Sequence, residues 1–135
     1  MTYKIEAIEG IGAVFGAKLR QVGVATTDKL LRRTATPAGR RTLAAATGID
    51  DGLILKWANL SDLMRIKGVG EEYSQLLEAA GVDTVKELKM RLAANLRKAM
   101  ADANAKRKLV RQLPSEKAVA AWIQQAKTMA SVLQY

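Results

Sequence analysis

An all-α chain made of two fused copies of one helical unit is the fold the sequence predicts, and three observations predict it. A stretch near the start recurs without a gap 58 residues later. Elsewhere apolar residues fall at helical spacing behind residues that cap helices well. No segment alternates apolar and polar side chains as a half-buried strand would. With two Pro and one Phe in 135 residues, β architecture is poorly supported.

The repeat is direct. Residues 8–30 read IEGIGAVFGAKLRQVGVATTDKL and residues 66–88 read IKGVGEEYSQLLEAAGVDTVKEL. Ile8 meets Ile66, Gly10 meets Gly68, Gly12 meets Gly70 and Leu19 meets Leu77. Gly23, Val24, Thr26 and Leu30 then meet Gly81, Val82, Thr84 and Leu88. The match resumes at Trp57 and Trp122 with an offset of 65, so seven residues are added in the second copy, within the stretch 97–112. The expected units are 1–63 and 64–135, joined over Ser61–Ile66 and sharing one core. Trp57 and Trp122 sit at equivalent positions on apolar helical faces and are expected to form two halves of that interior.

In chain order, Gly10-Ile11-Gly12 is a turn before a helix over about 13–22, closed by Gly23 where a left-handed cap belongs. Thr36-Pro37 reads as a cap followed by Pro at the first helical position, in a helix ending at Gly48. Asp50 or Asp51 caps the helix carrying Trp57. Gly68-Val69-Gly70 repeats the turn before a helix over about 71–80, closed by Gly81. Thr84 with Glu87 three residues later makes a capping box. That box opens a helix with Val85, Leu88, Leu92, Leu96 and Met100 on one face, and with Lys86, Arg91, Arg97 and Lys98 on the other. Ser115 caps a last helix whose apolar face is Val119, Trp122, Ile123, Ala126, Met129 and Leu133.

Composition narrows the chemistry. Apolar residues at 49% and charged ones at 26% suit a globular chain rather than a disordered one. There is no Cys and no His. Thiol nucleophiles, imidazole bases and zinc-finger ligand sets are therefore excluded. No P-loop or dinucleotide-binding glycine loop is present. Asp28 and Asp83 follow the two glycine turns, but Asp83 reads as part of a helix start, and no aromatic set could hold a flipped base. Tyr3, Tyr73 and Tyr135 show no stacking pattern. The expectation is a protein without catalytic residues, cofactor or metal. The opening residues carry no export signal and no run of eighteen apolar residues exists, which points to the cytoplasm and away from membranes.

Charge supplies the positive clue. Twenty-two Lys and Arg against thirteen Asp and Glu give +9, which favours an anionic partner. Residues 29–41 carry +5 and residues 86–111 carry +7, leaving the remainder at −3. Lys106, Arg107, Lys108 and Arg111, inside the added segment, are the candidate polyanion contact.

Helix, Gly-x-Gly turn, helix resembles the helix-hairpin-helix motif, at Ile8-Glu9-Gly10-Ile11-Gly12 with Leu19 and at Ile66-Lys67-Gly68-Val69-Gly70 with Leu76 and Leu77. Residues 80–88 are similar to the matching stretch of other such domains, including the C-terminal domain of the bacterial RNA polymerase α subunit. Over nearly its whole length the chain also resembles a bacterial family of uncharacterised proteins with a duplicated helix-hairpin-helix core. The resemblance implies a sequence-independent grip on a nucleic-acid backbone, double-stranded DNA first, with free N–H groups at the turn facing a phosphate.

On that reading the second hairpin is the better binder, with Arg65 and Lys67 flanking Gly68, Val69 and Gly70, although Glu71 and Glu72 follow directly and repel phosphate. The first hairpin offers Gly10, Gly12 and Lys18 between Glu6, Glu9 and an apolar run. A purely structural turn is the competing reading of both. In function, a protein-interaction module is the alternative to nucleic-acid binding, and a small-molecule pocket between the repeats is a third reading.

Overall fold

The computed structural model describes residues 2–135. Among them are eight α-helices and no strand beyond one isolated antiparallel bridge, Lys4 to Thr26. A 3-10 turn at Ile5–Ala7 precedes α1 (Ala13–Gln21), α2 (Thr27–Arg33), α3 (Pro37–Thr47) and α4 (Asp51–Leu63). The chain continues through α5 (Glu71–Ala79), α6 (Val85–Leu88), α7 (Ala93–Arg107) and α8 (Glu116–Lys127). None of these helices is long and apolar enough to cross a membrane.

The helix starts lie where short polar side chains can serve them. Thr36 Oγ1 accepts from Gly39 N–H at 3.0 Å, with Pro37 behind it in the first turn, and α3 ends at left-handed Gly48. Asp50, rather than Asp51, caps α4 by accepting from Gly52 N–H at 2.9 Å. Ser115 accepts from Ala118 N–H at 3.0 Å. Thr84 accepts from Glu87 N–H at 3.4 Å, but the returning Glu87 carboxylate takes its hydrogen bond from Asp83 N–H, one residue before the cap.

Local backbone geometry recurs at the 58-residue offset. Val24 N–H donates to Leu19 C=O, and Val82 N–H to Leu77 C=O, both at 2.9 Å. Gly23 and Gly81 have φ of 85° and 96°. Phe15 stands against Trp57, and Tyr73 against Trp122, each pair with ring centroids 5.3 Å apart.

Three expectations are corrected. The apolar stripe from Val85 to Met100 is not one helix: α6 stops at Leu88, and Leu92 is an extended residue ahead of α7, 69% exposed. The fold-back lets α6 and α7 both pack on α8. Val85, Leu88, Leu96 and Met100 then all reach one apolar cluster, which a straight rod of ~1.5 Å rise per residue would carry apart. The wheel opposing Lys86 and Arg91 to that stripe lapses with it.

In the last helix, α8 ends at Lys127, and Met129 and Leu133 follow it in irregular backbone. There Gln134 N–H donates to Ala35 C=O at 2.7 Å, which draws the chain across to the first half. Finally, the interior is two clusters rather than one. Trp57 belongs with Ile5, Leu19, Leu43 and Ile54, and Trp122 with Ile66, Leu77, Leu96 and Val119. Each half wraps its helices around its own tryptophan, so the two indoles do not meet in a common interior.

Candidate nucleic-acid interface

The glycine turns have a structural requirement of their own. Gly10 and Gly68 have φ of 90° and 97°, which L side chains rarely adopt. A methyl group there would stand 3.4 Å from Trp57 Nε1 and 3.0 Å from Trp122 Nε1. The turn thus presses against its own half's indole. Gly12 and Gly70 are the N-cap positions of α1 and α5 and offer no side chain to the first N–H groups.

The second hairpin is occupied by its own protein. Arg65, whose side chain is 22% exposed, donates from Nη1 to Asp62 Oδ1 at 2.8 Å and from Nη2 to Ala130 C=O at 3.0 Å. Asp62 is buried and also accepts from Val85 N–H at 2.8 Å. Arg65 is therefore committed to joining α4, α6 and the segment after α8. Lys67 is exposed, yet its backbone N–H and C=O are both held by the Gln125 side chain, at 2.9 and 3.2 Å. Val69 is buried and its carbonyl accepts from Tyr3 Oη at 3.4 Å. That phenol ring lies beside Gly70, and Glu71 and Glu72 occupy the first turn of α5.

The first hairpin is the open one. Nothing lies within 4 Å of where a Gly12 side chain would be, Ala13 and Val14 are exposed, and the first turn of α1 holds no acid. Lys18 is exposed further along α1. Glu6 is neutralised by Arg20, whose Nη2 and Nε reach its two oxygens at 2.6 and 2.9 Å. That hydrogen-bonded guanidinium holds the Glu6 carboxyl down at about 2.

Four of the eight arginines in the basic windows have partners within the protein. Arg33 donates to Val22 C=O, Arg97 to Pro114 C=O, and buried Arg40 to Thr34 C=O and Gln134 C=O. Arg32 pairs with Asp28 at 3.2 Å. The cluster at the end of α7 differs. Lys106 and Arg107 close the helix, Lys108 is its left-handed C-cap at φ 50°, and Arg111 follows. All four are exposed, and none has an ion-pair partner among the described residues.

The turn that carries this cluster is pinned. Asn104 accepts from Val110 N–H at 2.9 Å and donates to Val110 C=O at 3.1 Å, while Tyr73 Oη donates to Gln112 C=O at 3.1 Å. Sequence reasoning passed over Asn104. Its signal was an amide side chain in the last turn of a helix, placed to bond backbone beyond it. Beside the cluster, Ala79, Ala80, Ala99 and Ala103 line a cleft of about 340 Å3 together with Asp102, Lys106 and Arg107. Near it, burial pushes the Glu78 carboxyl up, against the attraction of Lys56 at 3.8 Å.

The residues named for a grip on phosphate thus fall into three places. The Arg65–Gly70 hairpin is built into the fold. The Gly10–Gly12 turn with Lys18 is open, and Lys106, Arg107, Lys108 and Arg111 form an exposed basic turn. No group of three or more acidic residues among the described residues is placed to hold a metal ion. A family model described as a domain of unknown function, DUF4332, matches residues 9–129. No curated protein and no solved structure matches the chain.

Proposed function

Because the chain belongs to the DUF4332 family, a domain of unknown function, its activity has to be read from its own surface, and we propose sequence-independent, non-catalytic binding of a nucleic-acid backbone, double-stranded DNA first. The observation that carries the proposal is the pinned turn after α7, which presents Lys106, Arg107, Lys108 and Arg111 to solvent without acidic partners. Preorganised cations release counterions from a polyanion at little further ordering cost. Their position also suits the negative end of the α7 dipole, and a structural role of that kind would not require Arg111 or a rigid loop beyond the helix.

The helix-hairpin-helix reading adds the first glycine turn as a second contact. There the uncapped N–H groups of α1 face solvent with Lys18 on the same helix, a setting that favours an anion. The geometry moves the preference from the second hairpin to the first, since Arg65, Tyr3, Glu71 and Glu72 occupy the second.

Fluorescence anisotropy with labelled random-sequence duplex DNA tests the proposal. Affinity should fall steeply between low and moderate salt and be indifferent to base sequence. Replacing Lys106, Arg107, Lys108 and Arg111 with Ala should flatten the log–log salt dependence by ~0.9 for each phosphate that is no longer neutralised. Lys18→Ala should flatten it by one such step. Absence of binding at low salt, or a salt dependence unchanged in the fourfold variant, would end this reading.

A further inference from the structure

A second surface, remote in residue identity from the basic turn, combines exposed apolar side chains with cations. In the link between α6 and α7, Met90 is 79% and Leu92 69% exposed. Few large apolar side chains of this protein are so open. Met90 also lines a cleft of about 490 Å3 with Thr84, Lys86, Glu87, Arg91 and Tyr135. The Tyr135 ring forms a fixed wall, because its hydroxyl donates to Asn59 Oδ1 at 2.7 Å and the Arg40 guanidinium lies 5.6 Å from its centroid.

We propose that this cleft docks an acidic peptide segment of a protein partner, with one or two large apolar side chains seated against Met90 and Tyr135. The volume suits side chains of that size, and Met, Tyr and Arg are types enriched at protein interfaces. Thioether side chains adapt to varied apolar partners. Charge selects the acidic class: of the charged groups that line the cleft, Lys86 and Arg91 outnumber Glu87, whose carboxylate is already engaged by Asp83 N–H at 3.2 Å. A nucleic-acid backbone would satisfy the cations but leave Met90 and the Tyr135 ring wet, so this apolar pair favours a peptide. The proposal uses none of the residues assigned to nucleic-acid binding, and either can fail alone.

Random twelve-residue peptides displayed on phage, selected against the full chain, supply the probe, and enriched sequences are then remade with a fluorescent label. Enrichment should place Asp and Glu around one or two Leu, Phe or Trp residues. Met90→Ser should weaken the selected peptides by at least about tenfold. Lys86→Glu/Arg91→Glu should do the same, while the Lys106/Arg107/Lys108/Arg111→Ala variant keeps full affinity. Both cleft variants alter side chains outside the apolar clusters, so circular dichroism should match the parent. If one variant misfolds, the other still decides.

No enrichment, enrichment without the acidic–apolar pattern, or affinity unchanged in a folded cleft variant would overturn the proposal. So would equal displacement of the peptides by duplex DNA. Self-association in sedimentation that disappears in Met90→Ser would hand the cleft to a second copy of the chain and overturn it as well.

Discussion

A methyl group at Gly68 would stand 3.0 Å from Trp122 Nε1, against 3.4 Å from Trp57 Nε1 at Gly10. Both positions have positive φ, 97° and 90°, so Ala at either carries backbone strain of roughly 1–2 kcal/mol. Only at Gly68 must the indole also shift. Gly68→Ala is therefore expected to lower the urea midpoint more than Gly10→Ala, and equal losses would show that backbone strain alone sets the cost. The pair Glu6–Arg20 belongs to this scale too. The folded carboxyl sits at about 2, below its usual 4.5, so the ionised form is the one that folding favours. Its contribution is present above pH 4.5 and is lost as pH falls through about 2. Glu6→Gln should thus be less stable than the parent near neutral pH, with the gap closing across that acid window in denaturation curves. A gap that persists below pH 2 would assign the effect to packing beside Gly16 instead.

At the scale of the element, the α6–α7 break decides which side chains face water. Were Val85–Met100 one helix with Leu92 in its buried stripe, Leu92→Ala would cost about 2–5 kcal/mol. With Leu92 exposed ahead of α7, the same change should fall within about 0.5 kcal/mol, a contrast that thermal denaturation resolves. Lys108 holds the left-handed C-cap of α7 at φ 50°, ψ 50°, a conformation that glycine adopts without penalty. Lys108→Gly should raise stability by ~1 kcal/mol while reducing the salt dependence of DNA binding. A loss of stability would mean that its side chain holds the loop. The caps Thr36, Thr84 and Ser115, and the pair Asp50 or Asp51 before α4, were legible because a cap is a bond over two or three residues. The break at 89–92 was not, because helical spacing looks the same whether or not the chain folds back.

For the whole molecule, two apolar clusters are tied together by crossing contacts. Tyr3 reaches Val69 C=O, Lys56 reaches Glu78, and Asp62 takes the Val85 N–H. Residues 130–135 return to the first half through Gln134–Ala35, Arg40–Gln134 and Tyr135–Asn59. Two proteins with one tryptophan each, Trp122→Phe and Trp57→Phe, let fluorescence follow each cluster. In each of them, urea curves from fluorescence and from circular dichroism should coincide. Removing residues 130–135 should separate the two probes, by on the order of 1 M in midpoint if the severed ties are worth 1–2 kcal/mol to one half. Probes that stay together after the deletion would place the coupling in the packing of α4 against α5.

What the sequence by itself determined is the all-helical class, the recurrence of residues 8–30 at 66–88, the caps, and the location of the basic run at 106–111. These are local patterns, carried by neighbours within a few residues and by direct comparison along the chain. The separation of Trp57 from Trp122 into different clusters was decided only by tertiary packing, as were the exposure of Met90 and Leu92 and the enlistment of Arg40 and Arg65 as ties. An arginine reads the same along the chain whether solvent or a carbonyl from residue 130 or 134 meets it. That choice rests on which guanidinium the fold buries, as it does that of Arg40, and on which distant carbonyls it brings within reach, because buried polar groups must be satisfied.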